Sequence, residues 1–542
     1  MRKKILIINL MIVFLGFIVI LGDTTHDGSA NQQTQITNEH KINTASESTQ
    51  FYLPCLQKKF CVPDPVDSPF SINISALHQI TATNIMAQKQ EETDYFTWYN
   101  QSFPTLLSAL KDSGAGWTRV VIRWFDIEPD APIPGQPPDY NTSMWQWYDN
   151  RLGQISQAGV KMIAVINAAP GWAGDGKICP AISPVHLEDY RQFISDLVNR
   201  YSEAPYNIKT WEIFNEADNT WVSLAEPFGC FGNDPYLYSD ILQISYETIK
   251  SIEPDATILM SGIAYDWFTE YDGPFYRNFP DKVILDLIND SGKTNFFDAF
   301  NFHYFPDYYG EWERWNGPQQ PTCSPNPEDT EGLPFPAGGI DLIAKKNYYN
   351  NRMSTCYGVQ KPMWLTELSA HGVPGDQGSL RNQAYYVIKG YTRGLSAGIK
   401  NITWYALADN NDGFDQSLLY PDFSPKPGFL TYKTLIAQLT NFQYARALSI
   451  SGGEAYVFRN SCNSEKIIAW GNNVPLIISP AAKIEVTDYL GEPALIEDGM
   501  LGDEDGIRNN AIRITLALDP MLDSTVVNEQ VPIPVFIRVT SP

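Results

Sequence analysis

The strongest constraint on this chain is a repeated pattern: a short apolar run, a loop, then a stretch with apolar residues at i, i+3 and i+4. The strand candidates are Phe70–Ala76, Thr118–Trp124, Met162–Asn167, Ile208–Asn215, Thr257–Ile263, Phe297–Tyr304, Met363–Glu367 and Ile402–Leu407. Between them, helical spacing recurs at Thr105–Asp112, His186–Arg200, Tyr236–Ser251, Leu342–Met353 and Arg381–Ala397. Strand–helix alternation implies parallel strands joined by right-handed crossovers. Eight such units over about 370 residues suit an α/β chain closed into a (β/α)8 TIM barrel better than an open doubly wound sheet. No Gly-x-Gly-x-x-Gly or phosphate-binding loop follows the first strand, which removes the usual reason for a nucleotide-binding sheet.

From Asn441 the helical period stops. Short alternating runs take over at Ala455–Phe458, Ile467–Trp470, Lys483–Tyr489, Ile512–Leu518 and Val535–Val539. With the turns at Ser451-Gly452-Gly453 and Asp503–Asn510, they predict a C-terminal all-β sandwich domain. Buttressing the barrel is its expected role, with sugar binding as the alternative. At the other end, Met1-Arg2-Lys3-Lys4 and the apolar stretch Ile5 to Gly22 read as a signal peptide or an N-terminal membrane anchor. Either puts the remainder outside the cytoplasm, where disulfides form. The expected organisation is therefore a leader over 1–22, a linker and N-terminal extension over 23–68, the barrel over 69–440 and the sandwich over 441–542.

The net charge of −24 argues against a nucleic-acid backbone or an anionic membrane surface as partner, and leaves the leader as the membrane contact. With 14 Trp and 29 Tyr, many in loops, the chain has rings that can stack on sugar faces, although most aromatics in proteins are core. The six histidines show no His-x-His or His-Glu-x-x-His spacing and the seven cysteines no Cys-x-x-Cys, so no metal or other cofactor is expected. Cys55–Cys61 and Cys179–Cys230 are the expected disulfides, and the odd count leaves a thiol over.

Two strands end in a carboxylate. Trp211-Glu212-Ile213-Phe214-Asn215-Glu216 closes the fourth and Pro362-Met363-Trp364-Leu365-Thr366-Glu367 the seventh. Catalytic groups in such barrels sit at the C-terminal ends of the strands, and strands four and seven lie across the mouth from one another. Two glutamates placed there can straddle one sugar ring, as cleavage of a glycosidic bond requires. By strand parity Glu212, Phe214 and Glu216 share a face, as do Met363, Leu365 and Glu367. Glu212 then points into the barrel, where a lone charge is costly, so it should pair with Arg119 or Arg123. The loop from Pro306 to Gly339, with Tyr308, Tyr309, Trp312 and Trp315, reads as an aromatic rim.

Trp-Glu-Ile-Phe-Asn-Glu, Trp-Leu-Thr-Glu, Phe-Asn-Phe-His-Tyr at strand six and Gly116-Trp117-Thr118-Arg119 running to Glu128-Pro129 together resemble clan A glycoside hydrolases, in style closest to families 39 and 5. The resemblance covers about residues 69–542 and extends to Val486-Thr487-Asp488-Tyr489-Leu490-Gly491 in the β domain. It implies a retaining hydrolase of O-glycosidic, expectedly β-linked, bonds with Glu216 as acid/base and Glu367 as nucleophile. It further implies Asn215 on the sugar 2-hydroxyl, His303 or Tyr304 tuning the nucleophile, and Arg119 (or Arg123) assisting it. Trp404 would be a stacking platform, and Trp172, after strand three, a further substrate-binding ring. Phe214, where the clan often has Trp, and Ala217-Asp218, where Pro often follows the Glu, depart from the pattern. Two alternatives on the same barrel are a transglycosylase and a catalytically silent carbohydrate-binding protein.

Overall fold

A computed structural model describes residues 67–74, 85–174, 182–218, 222–223, 226–227, 231, 234–264, 283–284, 296–306, 341–408, 415–521, 524 and 530–541. All belong to one compact unit, Thr49–Pro542. The leader, both expected cysteine pairs and the aromatic rim beyond Pro306 lie outside the described residues; Cys356 and Cys462 are each disulfide-bonded. Among the described residues no helix is long and apolar enough to cross a membrane.

Eight parallel strands form one sheet: β1 (Phe70–Asn73), β2 (Trp117–Arg123), β3 (Lys161–Asn167), β4 (Thr210–Ile213), β5 (Thr257–Leu259), β6 (Phe300–Tyr304), β7 (Met363–Leu368) and β8 (Ile402–Trp404). Neighbours in sequence are neighbours in space, and β1 pairs with β8. Bridges from Leu259 to Ala299 and from Ile263 to Phe302 join β5 to β6 and close the ring. The barrel read from the sequence period is thus the fold adopted.

The covering helices are α1 (Ile85–Ser113), α2 (Thr142–Gln157), α3 (Leu187–Tyr201), α4 (Pro235–Ile252), α5 (Leu342–Asn351), α6 (Gln377–Ser396) and α7 (Pro427–Leu439). Asn141, Asp234, Asp341 and Asp376 cap α2, α4, α5 and α6, each side chain accepting from first-turn backbone N–H groups. Each cap contributes roughly 1 kcal/mol. Helix α1 is much longer than the Thr105–Asp112 stripe that announces it, because its N-terminal half is too polar to show a period.

The barrel interior is layered. Its floor is apolar: Ile163, Leu259 and Ala299 pack with Trp117 and Trp364, whose rings meet edge to face at 5.8 Å. Two residues further along three of these strands the side chains are Arg119, Asn301 and Thr366, all buried, with Glu212 at the same level. Strand alternation thus stacks a charged layer directly on an apolar one. The intervening residues, among them Phe300, Phe302, Met363, Leu365 and Ile402, belong to the main core that joins barrel to helices.

Beyond α7 the chain forms β9 (Gln443–Leu448), β10 (Gly453–Arg459), β11 (Glu465–Gly471), β12 (Val474–Ile478), β13 (Lys483–Thr487), β14 (Pro493–Glu497), β15 (Ile512–Leu516) and β16 (Val535–Ser541). Six make one antiparallel sheet, in the order β9-β10-β11-β16-β13-β14, and β12 pairs with β15 in a second. One face of the larger sheet packs Val457, Ile467, Ala469, Ile484 and Ile537 against Leu476, Ile478, Ile512, Ile514 and Leu516. The alternate residues Tyr456, Phe458, Ile468, Trp470 and Phe536 join the barrel core instead. Because β11 is buried on both faces, Ile-Ile-Ala-Trp reads as a continuous apolar run.

Polar ties complete the seam. Arg393 of α6 pairs with Glu454, and Arg381 Nε donates to Asp519 at 2.6 Å. Trp470 sits at its centre, with Nε1 donating to Glu454 and the Arg393 guanidinium over its ring. Trp470→Ala should therefore lower whole-molecule stability by about 3–5 kcal/mol. Urea unfolding followed by barrel and sandwich probes should show the loss in one shared transition; a change confined to a separate sandwich transition would contradict the seam.

Candidate active site

Both carboxylates owe their positions to breaks in strand regularity. After β4, Phe214 and Glu216 take φ values of 62° and 46°, flanking Asn215. Non-glycine residues held there cost roughly 1–3 kcal/mol each. The reversal turns Phe214 outward onto Tyr190 and Phe231 and leaves Asn215 and Glu216 at the mouth. On β7 the register with β6 slips between Phe302 and His303, so that His303 faces Glu367 and Thr366 is the extra residue. A bulge re-aims side chains, and both Thr366 and Glu367 reach the interior. Strict parity is therefore wrong at both tips: Phe214, Met363 and Leu365 face the helices while the glutamates do not.

Arg119 is the hub. Its Nε and Nη2 each donate to Glu212 at 2.8 Å, Nη1 donates to Glu367 Oε1 at 2.7 Å, and Nη2 also donates to Asn215 Oδ1 at 2.7 Å. The expected partner of Glu212 is thus Arg119; Arg123 turns away to Asp126. Across the mouth, His303 Nδ1 lies 2.9 Å from Glu216 Oε1 and 3.4 Å from Glu367 Oε2. One carboxylate oxygen each of Glu216 and Glu367 therefore fall within 4.8 Å of one another. Burial pushes the Glu367 carboxyl up to about 8, with the Arg119 guanidinium opposing and the nearby Glu216 and Glu212 adding to the rise. Carboxylates this close titrate as a pair, and the pair retains a proton at neutral pH.

His303 is neutral. Burial and the charges of Arg119 and Lys345 hold its pKa well below the ordinary value, against the pull of Glu212. Lys345 also anchors the strand tip, its Nζ donating to the His303 carbonyl at 2.7 Å. Gly262 makes room for the ring: a Cβ there would stand 2.1 Å from His303 Nε2. Below, Thr366 Oγ1 lies 3.2 Å from Nε2 and accepts from Asn301 Nδ2 at 2.7 Å.

Glu216, Glu367, Asn215, His303 and Arg119 are brought together. Tyr304, Trp404 and Trp172 are not. Tyr304 alternates with His303 and lies in the helix-facing core, and Trp404, fully buried on the same face of β8 as Ile402, donates Nε1 to Gln416 O at 3.2 Å. Its partly exposed neighbour Tyr405 packs edge-on to Phe305 instead. Trp172 packs edge-on to Trp124 and His186, and none of its hydrogen bonds or ring contacts reaches the acid pair. Thr366, Asn301, Gly262 and Lys345 escape the sequence reading. A lone Asn between two Phe on an apolar strand was the available signal for Asn301, since such a residue has only the barrel interior to face.

Glu216, His303 and Glu367 are the one carboxylate–imidazole group among the described residues close enough to share a metal ion. A guanidinium already seated on Glu367 repels a dication from that spot, so the trio reads as a proton-handling group.

No family model matches the chain, and no curated protein does. Among solved structures it is similar to a family 39 glycoside hydrolase from the gut symbiont Bacteroides cellulosilyticus WH2, at TM-score 0.55 and 17% identity over 88% of this chain and 83% of that one. A GH39 enzyme from Xanthomonas axonopodis pv. citri aligns at TM-score 0.53 and 11% identity, over 88% and 95%. A monomeric β-xylosidase from Caulobacter crescentus CB15 aligns at 0.50 and 13%, over 88% and 97%. The likeness to clan A glycoside hydrolases read from the motifs holds for the fold of barrel and sandwich.

A further carboxyl, Glu128, is buried shortly after β2. Glu128 Oε2 accepts from Trp124 Nε1 at 2.7 Å, Trp172 Nε1 donates to its backbone oxygen, and Oε1 is buried without a hydrogen-bond partner. Burial raises its pKa from 4.5 to about 7, the Trp124 bond opposing and Asp189 and Asp196 adding. A raised folded pKa stabilises fully below the unfolded value, and that contribution is lost as pH rises through about 7. Glu128→Gln, neutral throughout, should unfold at the same temperature as wild type near pH 4.5 and at a higher one at pH 8. An equal difference at both would contradict the assignment.

Proposed function

We propose that this protein is an exported retaining glycoside hydrolase acting on β-linked substrates. The observation that carries this reading is that one carboxylate oxygen of Glu216 and one of Glu367, from strands on opposite sides of one barrel mouth, lie within 4.8 Å of each other. Retaining enzymes hold their two carboxyl groups about 5–5.5 Å apart, whereas inverting ones leave about 6.5–9.5 Å for a water. Glu367 attacks the anomeric carbon as Glu216 gives its proton to the departing oxygen. Glu216 then takes a proton from water, which displaces Glu367 from the glycosyl ester. Arg119 favours the charge on Glu367, so the proton shared by the pair belongs on Glu216 when substrate is seated. Asn215, its oxygen held by Arg119, offers its amide N–H to a sugar hydroxyl.

Export is supported by the basic start and apolar stretch of residues 1–22. The fold shared with the Caulobacter crescentus CB15 β-xylosidase puts aryl β-xylosides first in a substrate panel.

Glu367→Ala should abolish turnover, and added azide should restore it as the glycosyl azide of inverted configuration. Glu216→Ala should lose at least about 100-fold on poor leaving groups and far less on dinitrophenyl glycosides. In the wild type, kcat/KM should fall on the alkaline side near pH 8, where the pair loses its proton. Equal loss on all leaving groups in the Glu216 variant, or no azide product, would sink the assignment.

A further inference from the structure

The geometry points to Thr366 as a positioning residue that fixes which nitrogen of His303 carries the proton and, through it, which oxygen of Glu216 delivers the acid proton. This rests on the glycosidase reading above. The imidazole is fully buried and neutral, so it has one N–H and one acceptor nitrogen. Nδ1 stands between Glu216 Oε1 at 2.9 Å and Glu367 Oε2 at 3.4 Å. Glu367, held by Arg119, is the ionised member of the pair and can only accept, so the N–H belongs on Nδ1. Nε2 then needs a donor, and among the described residues the one within reach is the Thr366 hydroxyl at 3.2 Å.

That hydroxyl has a choice of acceptors. Asn301 Oδ1 lies 3.0 Å away, on the amide whose Nδ2 already donates to Oγ1 at 2.7 Å. Glu212 Oε1 lies 3.4 Å away and already accepts from Arg119 Nη2 and from the Gly262 N–H. Donation to Nε2 leaves Asn301 Oδ1 with no donor among the described residues, yet the amide keeps its Nδ2 bond to Oγ1, whereas donation to Asn301 would leave buried Nε2 with no bond at all, a cost of about 1–3 kcal/mol. The hydroxyl proton therefore goes to Nε2.

With Nδ1–H donating to Glu216 Oε1, that oxygen is an acceptor, and the carboxylic proton resides on Oε2. Remove the hydroxyl, and the imidazole proton can move to Nε2. Nδ1 then presents a lone pair, which draws the Glu216 proton onto Oε1 and away from the leaving group.

Thr366→Val tests this at nearly constant volume, with Thr366→Ser as the restoring variant. We expect Thr366→Val to lose about 10–100-fold in kcat/KM on poor leaving groups. On a dinitrophenyl glycoside, which needs no proton, the loss should be under about threefold. Its alkaline limb should move to higher pH, and Thr366→Ser should restore both. Nitrogen-15 spectra of the labelled protein, with His303 assigned by comparison with His303→Asn, should show the proton on Nδ1 in wild type and on Nε2 in Thr366→Val. Thr366→Ala serves the same spectral test if the valine variant does not fold. A wild-type leaving-group dependence and alkaline limb in Thr366→Val, or a proton that stays on Nδ1, would overturn the proposal. If the wild type cleaves no aryl glycoside, the glycosidase reading fails instead, and the spectra still decide whether Thr366 sets the tautomer.

Discussion

One buried guanidinium carries the upper half of this barrel. Arg119 is 2% exposed, yet it joins β2 to β4 through Glu212 and Asn215 and to β7 through Glu367. Three carboxylates inside a barrel would repel one another and resist burial, and removing the partner of a buried charge costs about 3–5 kcal/mol. The planar fork of arginine permits a single cation to hold three side chains from different directions, which a lysine ammonium cannot match. The same contacts fix the Asn215 amide with its oxygen inward, so a role in holding the fold and a role in presenting a donor are joined in one side chain.

The backbone around that cation is irregular where it matters. Left-handed φ values at Phe214 and Glu216, a register slip at Thr366 and a glycine at 262 each depart from an ideal barrel. Each also has a local function. The slip lets two consecutive residues of β7 face inward, and the glycine clears the space that His303 fills. Packing bears the strain: Phe214 is anchored by Tyr190 and Phe231, and Tyr238 donates to Ile213 O at 2.9 Å.

These irregularities mark the limit of what the residues disclose before the fold is known. Eight apolar runs separated by amphipathic helices can bury their faces in few ways, so the barrel was legible from periodicity, as were the glutamates that end β4 and β7. Which neighbours join those glutamates depended on parity at strand tips, and there alternation fails. Tyr304 and Trp404 have the chemistry of a sugar site, but each lies on the helix side of its strand; His303 and Tyr405, one residue away, do not. Thr366 was invisible for the opposite reason, since a threonine in a strand needs no special explanation until a bulge turns it inward.

The charge state of His303 completes the electrostatic argument. A cationic imidazole between Glu216 and Glu367 would hold both ionised and leave no acid at neutral pH. The fold prevents this by burying the ring completely and by setting two cations near it, Arg119 beneath the pair and Lys345 on its own carbonyl. With the histidine neutral, Arg119 is the cation among the described residues that holds the Glu367 pKa down, and burial with the nearby Glu216 and Glu212 outweighs it. The buried lysine thus contributes to the acid by acting on the histidine from behind.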